Sequence, residues 1–193
     1  MASGGMVSRL RLFSILLCIA GLCLAAPSTM AFDDVPGTPD ARDKALYILK
    51  FHRFATWPQG MLAPGATLVI GVAGAEKIAQ ALDQEAAQRP ADKRPVNVVR
   101  LQPGDPLTGI HILFIGNDQS PQQMQAWLAQ AKGKPVLCVT DNRDSMPAGS
   151  MINLVQDNDR TRFDVSLTAA EHSRIELSAA LLTVAREVYG GKK

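Results

Sequence analysis

With 193 residues, 47% of them hydrophobic, and a formal net charge of +2, the chain is long enough to bury a sizeable core in a single domain. A balance this close to neutral excludes the basic footprint of a nucleic-acid binder. No internal repeat or low-complexity tract suggests a solenoid or a disordered linker.

The chain opens with Arg9 and Arg11, an apolar stretch from Leu12 to about Ala26, and Thr29-Met30-Ala31. A basic start, a short apolar run and a small-x-small site read as a secretory signal peptide over residues 1–31. The run is shorter than the roughly 18 to 20 residues of a spanning helix, so no direct membrane insertion is expected after cleavage. An uncleaved anchor is the alternative. Neither Cys18 nor Cys23 has a small residue just before it, which argues against a lipid anchor. Cleavage removes both arginines and no acid, bringing the net charge to zero. Of the three cysteines, Cys138 alone then remains, and a lone thiol in the apolar run Val136 to Val139 has no intramolecular bridge to form.

Residues 32–40 are rich in Asp, Pro and Gly and predict a flexible lead-in, with Asp40 able to cap the helix after it. An α/β domain is expected over residues 41–189. Leu46, Leu49, Lys50 and Arg53, with Tyr47, Phe51 and Phe54, fall on helical spacing up to Pro58. Thr67 to Val72 predicts a short strand, and Glu76 to Gln88 a helix with Ile78, Ala79 and Leu82 inward. Further strands are predicted over Pro95 to Leu101, His111 to Ile115 and Val136 to Thr140. Ser120-Pro121 starts a helix whose Met124, Trp127, Leu128 and Ala131 share a face. Phe163, Val165 and Leu167 alternate with Arg162, Asp164 and Ser166, so the Asp157-Asn158-Asp159 corner joins two antiparallel strands. Leu167 to Val188 predicts one or two helices, with Ser178 as an internal cap. The fold expected is α/β: a single-domain, mainly parallel, doubly wound sheet with a C-terminal antiparallel hairpin and closing helices.

Candidate sites are few. Gly71-Val-Ala-Gly74 lies between a strand and a helix but lacks the spacing of a dinucleotide loop or a phosphate loop. With Asp141, Asn142, Arg143 and Asp144 at another strand end it defines a candidate ligand crevice: Gly71, Gly74, Asp141 and Arg143. His52, His111 and His172 are scattered, and Asp157 to Asp159 lacks a calcium loop's pattern, so neither metal nor cofactor is expected. Ser150 lacks the glycine of a nucleophile elbow. Trp57 and Arg53 are candidates for a binding hot spot, with core packing as the other reading of Trp57. Arg162 and Asp164, pointing away from Phe163, either meet a partner or pair with cross-strand neighbours.

Several segments carry a resemblance. Gly149-x-Met-Ile-Asn-Leu154 followed by Arg162-Phe-Asp-Val-x-Leu-x-Ala-Ala170 resembles the signature of the YfiR-like proteins, periplasmic regulators of membrane-bound diguanylate cyclases. Tyr47 to Phe51 with Arg53-Phe54 and Trp57-Pro58, the strand His111 to Gly116, and Leu177-Ser178 with Leu181-Leu182 and Ala185 resemble other family segments in order. The resemblance implies a non-enzymatic periplasmic protein. Its partner would be the periplasmic region of an inner-membrane diguanylate cyclase or other sensor protein, which it holds inactive; the candidates read above to meet such a partner are Arg53, Trp57, Arg162 and Asp164. It also admits a homodimer. Redox control through paired cysteines, known among relatives, has no counterpart in a chain left with Cys138 alone. The alternative from the residues is a periplasmic small-molecule receptor using the crevice formed by Gly71, Gly74, Asp141 and Arg143; an exported hydrolase is the least supported.

Overall fold

A computed structural model describes residues 39–90, 93–158 and 160–190; the signal peptide expected over 1–31 and most of the expected lead-in lie outside the described residues. Helix α1 (Pro39–Phe51) begins with Pro39 and Asp40 in its first turn and has Lys50 in its last, the polarity that favours a helix at both ends. Ala41, Ala45, Ile48 and Leu49 recur at helical spacing and are all buried. Strand β1 (Ala55–Thr56) follows directly. Next come β2 (Leu68–Ala73), α2 (Glu76–Ala87), β3 (Val96–Arg100), β4 (Ile112–Ile115), α3 (Pro121–Ala131) and β5 (Leu137–Asp141). The hairpin is β6 (Ile152–Asp157) and β7 (Arg160–Ser166), and the chain closes with α4 (Leu167–His172), β8 (Glu176–Leu177), α5 (Ala179–Val184) and β9 (Glu187–Tyr189).

The main sheet has seven strands in the order β3-β2-β4-β5-β6-β7-β9. Strands β2 to β6 pair in parallel, β7 runs antiparallel to β6, and β9 is parallel to β7. The expected doubly wound sheet with its terminal hairpin is therefore what forms. Every residue of β4 is buried, as befits a central strand covered on both faces. Ile112 and Phe114 belong to the core under α1 and α2, whereas Leu113 and Ile115 belong to the core under α3, the period-2 alternation of a strand shared by two layers. The hairpin fastens to α1 through Phe163, whose ring lies 5.4 Å from Phe51 and 5.9 Å from Tyr47, edge-on in both cases.

Local signals explain most boundaries. Ser120 caps α3 in a full capping box with Gln123, and Pro121 occupies the first turn. Asn158, at φ 47°, turns the hairpin in a conformation that Asn tolerates. Ser178 caps α5 as expected, accepting from the Leu181 N–H. The last segment departs from expectation: Glu187 and Val188, at the end of the span predicted helical, belong to β9 (Glu187–Tyr189) instead. Its approach is fixed by the Arg186 N–H, which donates to Phe163 O at 2.8 Å, a nonlocal bond that overrides helical propensity. The two-residue ribbon β1-β8, paired antiparallel through Ala55 with Leu177, is a further element that the sequence pattern does not announce.

Candidate functional site

The Trp57 region hangs from the end of α1. The N–H groups of Arg53 and Phe54 donate back to Lys50 O and Phe51 O, each at 3.0 Å, closing the helix in a turn. The β1-β8 ribbon then holds the chain, and the Ser178 N–H donates to Phe54 O at 2.9 Å. This clamp directs Trp57 into the core, where it is buried with its indole Nε1 unpartnered, while Arg53 stays exposed. Beyond them Met61 is an exposed large hydrophobe. Trp57 thus supports the surface from beneath, and Arg53 is the side chain of the two that solvent reaches.

On β7 the alternation read from sequence holds: Phe163 faces α1, so Arg162 and Asp164 point to the other side. Their surroundings differ. Arg162 is exposed opposite Val155. Asp164 is only 1% exposed and is gripped by both arms of Arg186, Nε to Oδ1 at 2.8 Å and Nη2 to Oδ2 at 2.6 Å. A forked guanidinium on a carboxylate is among the strongest charge-assisted geometries. It leaves Asp164 engaged within the fold. Arg186 carried no sequence signal because its partner lies 22 residues away. Arg53 and Arg162 therefore start from opposite sides of the sheet.

The four residues of the expected crevice do not converge. Gly71 is buried inside β2, and a Cβ there would lie 2.5 Å from Leu101 Cδ1, so the glycine admits a close-packed neighbour. Gly74 turns the chain at φ +62° beneath Gln119. The sheet order reverses between β2 and β4, the place where open α/β sheets bind ligands. Here Gly74 lines a hollow of about 230 Å³ with Arg100 and Gln119, and Gly116 approaches so closely that a Cβ on it would lie 2.2 Å from Gly74 O. Asp141, at the end of β5, is buried and salt-bridged to Lys44 of α1, Nζ to Oδ2 at 2.9 Å, with Asp40 at 3.0 Å on the same ammonium. Burial is the largest influence on Lys44 and works to lower its pKa; hydrogen bonding and charge from Asp141, then Asp40, outweigh it and leave the pKa raised. Arg143 is exposed in the following loop.

The Met-Ile-Asn-Leu segment owes its asparagine to structure. Asn153 Oδ1 accepts from the Thr140 hydroxyl at 2.8 Å and from the Asn142 N–H at 3.0 Å, and its amide donates to Asn142 O at 2.9 Å. The buried side chain so pins the loop after β5 to β6, with every partner satisfied. Two histidines hold local backbone contacts: His52 Nδ1 lies 2.6 Å from Leu49 O, and His172 Nδ1 2.6 Å from Thr168 O. His111 joins Val69 N, at 3.0 Å, and Met61 O, also at 3.0 Å. Burial pushes the Cys138 thiol up to about 12, which keeps it protonated and unreactive. Among the described residues no group of His, Cys, Asp or Glu could hold a metal ion, and no helix is long and apolar enough to cross a membrane.

Residues 42–186, nearly all of the described fold, match the family model described as YfiR/HmsC-like. No curated protein matches the chain significantly.

Proposed function

We propose, since the chain belongs to the YfiR/HmsC-like family, that it is a non-enzymatic periplasmic regulator that binds the periplasmic sensor region of an inner-membrane diguanylate cyclase and holds it inactive. The family match over residues 42–186 carries this reading. The exposed cation Arg53 supports it as a rim group for association, above the buried Trp57, while Arg162 is exposed on the other side of the sheet, beside the Arg186-bound Asp164. Repression requires that the regulator bind one conformation of the sensor more tightly than the other; the difference in affinity sets how far the cyclase is shifted. Release of the regulator then raises cyclic di-GMP in the cytoplasm.

Deleting the gene for this protein in its producing cell is expected to raise cyclic di-GMP and biofilm formation, and the rise should vanish when the partner cyclase is deleted as well. Affinity purification from solubilised membranes should recover that cyclase. Unaltered cyclic di-GMP, with no inner-membrane signalling protein recovered, would sink the proposal.

A further inference from the structure

Between the end of α3 and α4 lies a cleft of about 440 Å³, lined by none of the candidate partner-binding residues. Its volume falls in the range of small-molecule sites. The floor is apolar, formed by Leu128, Ala131 and Cys138, and Ala148 and Ala169 line its sides. Small side chains leave the space open, and the protonated thiol adds no charge to it.

Lys132, the residue that ends α3, lines the cleft and is exposed, and makes no ion pair among the described residues. His172 donates its Nδ1–H to Thr168 O at 2.6 Å, so in the neutral ring Nε2 is an acceptor and offers no hydrogen to an anion. Ser173 is only 3% exposed and lines the cleft, yet its hydroxyl makes no hydrogen bond among the described residues. The hydroxyl is not sealed from solvent, so it is free to donate to a group in the cleft. No Asp or Glu lines the cleft. An apolar floor beside an ammonium and a spare hydroxyl, with no carboxylate to repel an anion, suits a molecule with a hydrocarbon body and one negative head.

We propose that this cleft binds a small aliphatic monocarboxylate, its chain over Leu128, Ala131 and Cys138 and its head group against Lys132 and Ser173. This goes beyond the partner-binding function and does not depend on it.

Octanoate is the probe, with octan-1-ol and octylamine as neutral and cationic counterparts, titrated calorimetrically into the purified protein. Octanoate is expected to bind, octan-1-ol roughly tenfold or more weakly because it lacks the charge-assisted bonds, and octylamine not at all. Lengthening hexanoate to heptanoate and octanoate should tighten binding roughly fourfold per methylene. Lys132→Glu should weaken octanoate roughly tenfold or more while Lys132→Arg retains it. Ala129→Trp, at an exposed lining position, should abolish binding by filling the mouth, with circular dichroism confirming that both surface variants fold. Equal binding of octanoate and octan-1-ol, binding undiminished in both Lys132→Glu and Ala129→Trp, or no binding at millimolar octanoate would each overturn the assignment.

Discussion

Asp141 shows how a single side chain is misplaced when only its neighbours in sequence are considered. Beside Asn142, Arg143 and Asp144 it reads as part of a polar loop at a strand end; in the fold it is the buried anchor of Lys44, 97 residues away. Both side chains are almost fully removed from water, so the pair's net value is small, but losing one partner strands the other charge. Lys44→Met should therefore destabilise the protein by about 3–5 kcal/mol, and Lys44→Met with Asp141→Leu should recover much of that loss. Urea unfolding measures both, and equal stability of the single variant and the parent would show that the pair contributes nothing. The pH dependence has a definite sign. The Lys44 pKa is raised above its ordinary 10.5 in the fold, so the folded state holds that proton more tightly than the unfolded chain does. Its contribution is complete below pH 10.5 and is lost as pH climbs through the raised value. Alkaline unfolding should accordingly show a loss in the parent that the Lys44→Met protein lacks.

At the scale of elements, legibility followed the range of the determining contact. Helix α3 was readable because Ser120, Pro121 and Gln123 lie within one turn of each other, and the hairpin because its alternation and its turn are both local. Strand β9 was not, since Glu187 to Tyr189 become a strand only when β7 presents its edge, and nothing in Arg186 announces Asp164. Both Val188 and Tyr189 remain exposed, so little apolar burial holds β9 in place. Its attachment rests on the short parallel ladder to β7, on the Arg186 N–H bond to Phe163 and on the fork with Asp164. Arg186 is 38% exposed against 1% for Asp164, so solvent screening weakens the pairing while the stranded carboxylate would still bear a desolvation cost. Arg186→Ala is expected to cost about 1–3 kcal/mol and to free β9 by local unfolding. Hydrogen exchange should then quicken at Val188 and Tyr189 but not in α3. Arg186→Lys should restore only part of the protection, because an ammonium cannot span both carboxylate oxygens.

For the whole molecule, the strand and helix order was legible because each run of alternating or helical spacing stands between clear turn signals. The distribution of the candidate surface was not. Sequence spacing says that Arg162 points away from Phe163, but only the packing of Phe163 on α1 says which side of the sheet α1 covers. Arg53, at the end of α1, and Arg162 therefore cannot both sit at the centre of one flat docking patch. Arg53 is an exposed cation four residues before the buried Trp57, a charged rim group beside an apolar support. Arg53→Glu is accordingly expected to slow association with the sensor region several-fold, with dissociation little changed and a smaller dependence on salt, because rim charges act mainly on encounter. Arg162→Glu should leave both rates near the parent's. Surface plasmon resonance across a salt series distinguishes the two variants once circular dichroism shows both folded. If Arg162→Glu is the one that slows association, the docking surface lies instead on the Val155 face, beside the Arg186–Asp164 fork. If neither variant alters either rate, these cations take no part in partner recognition.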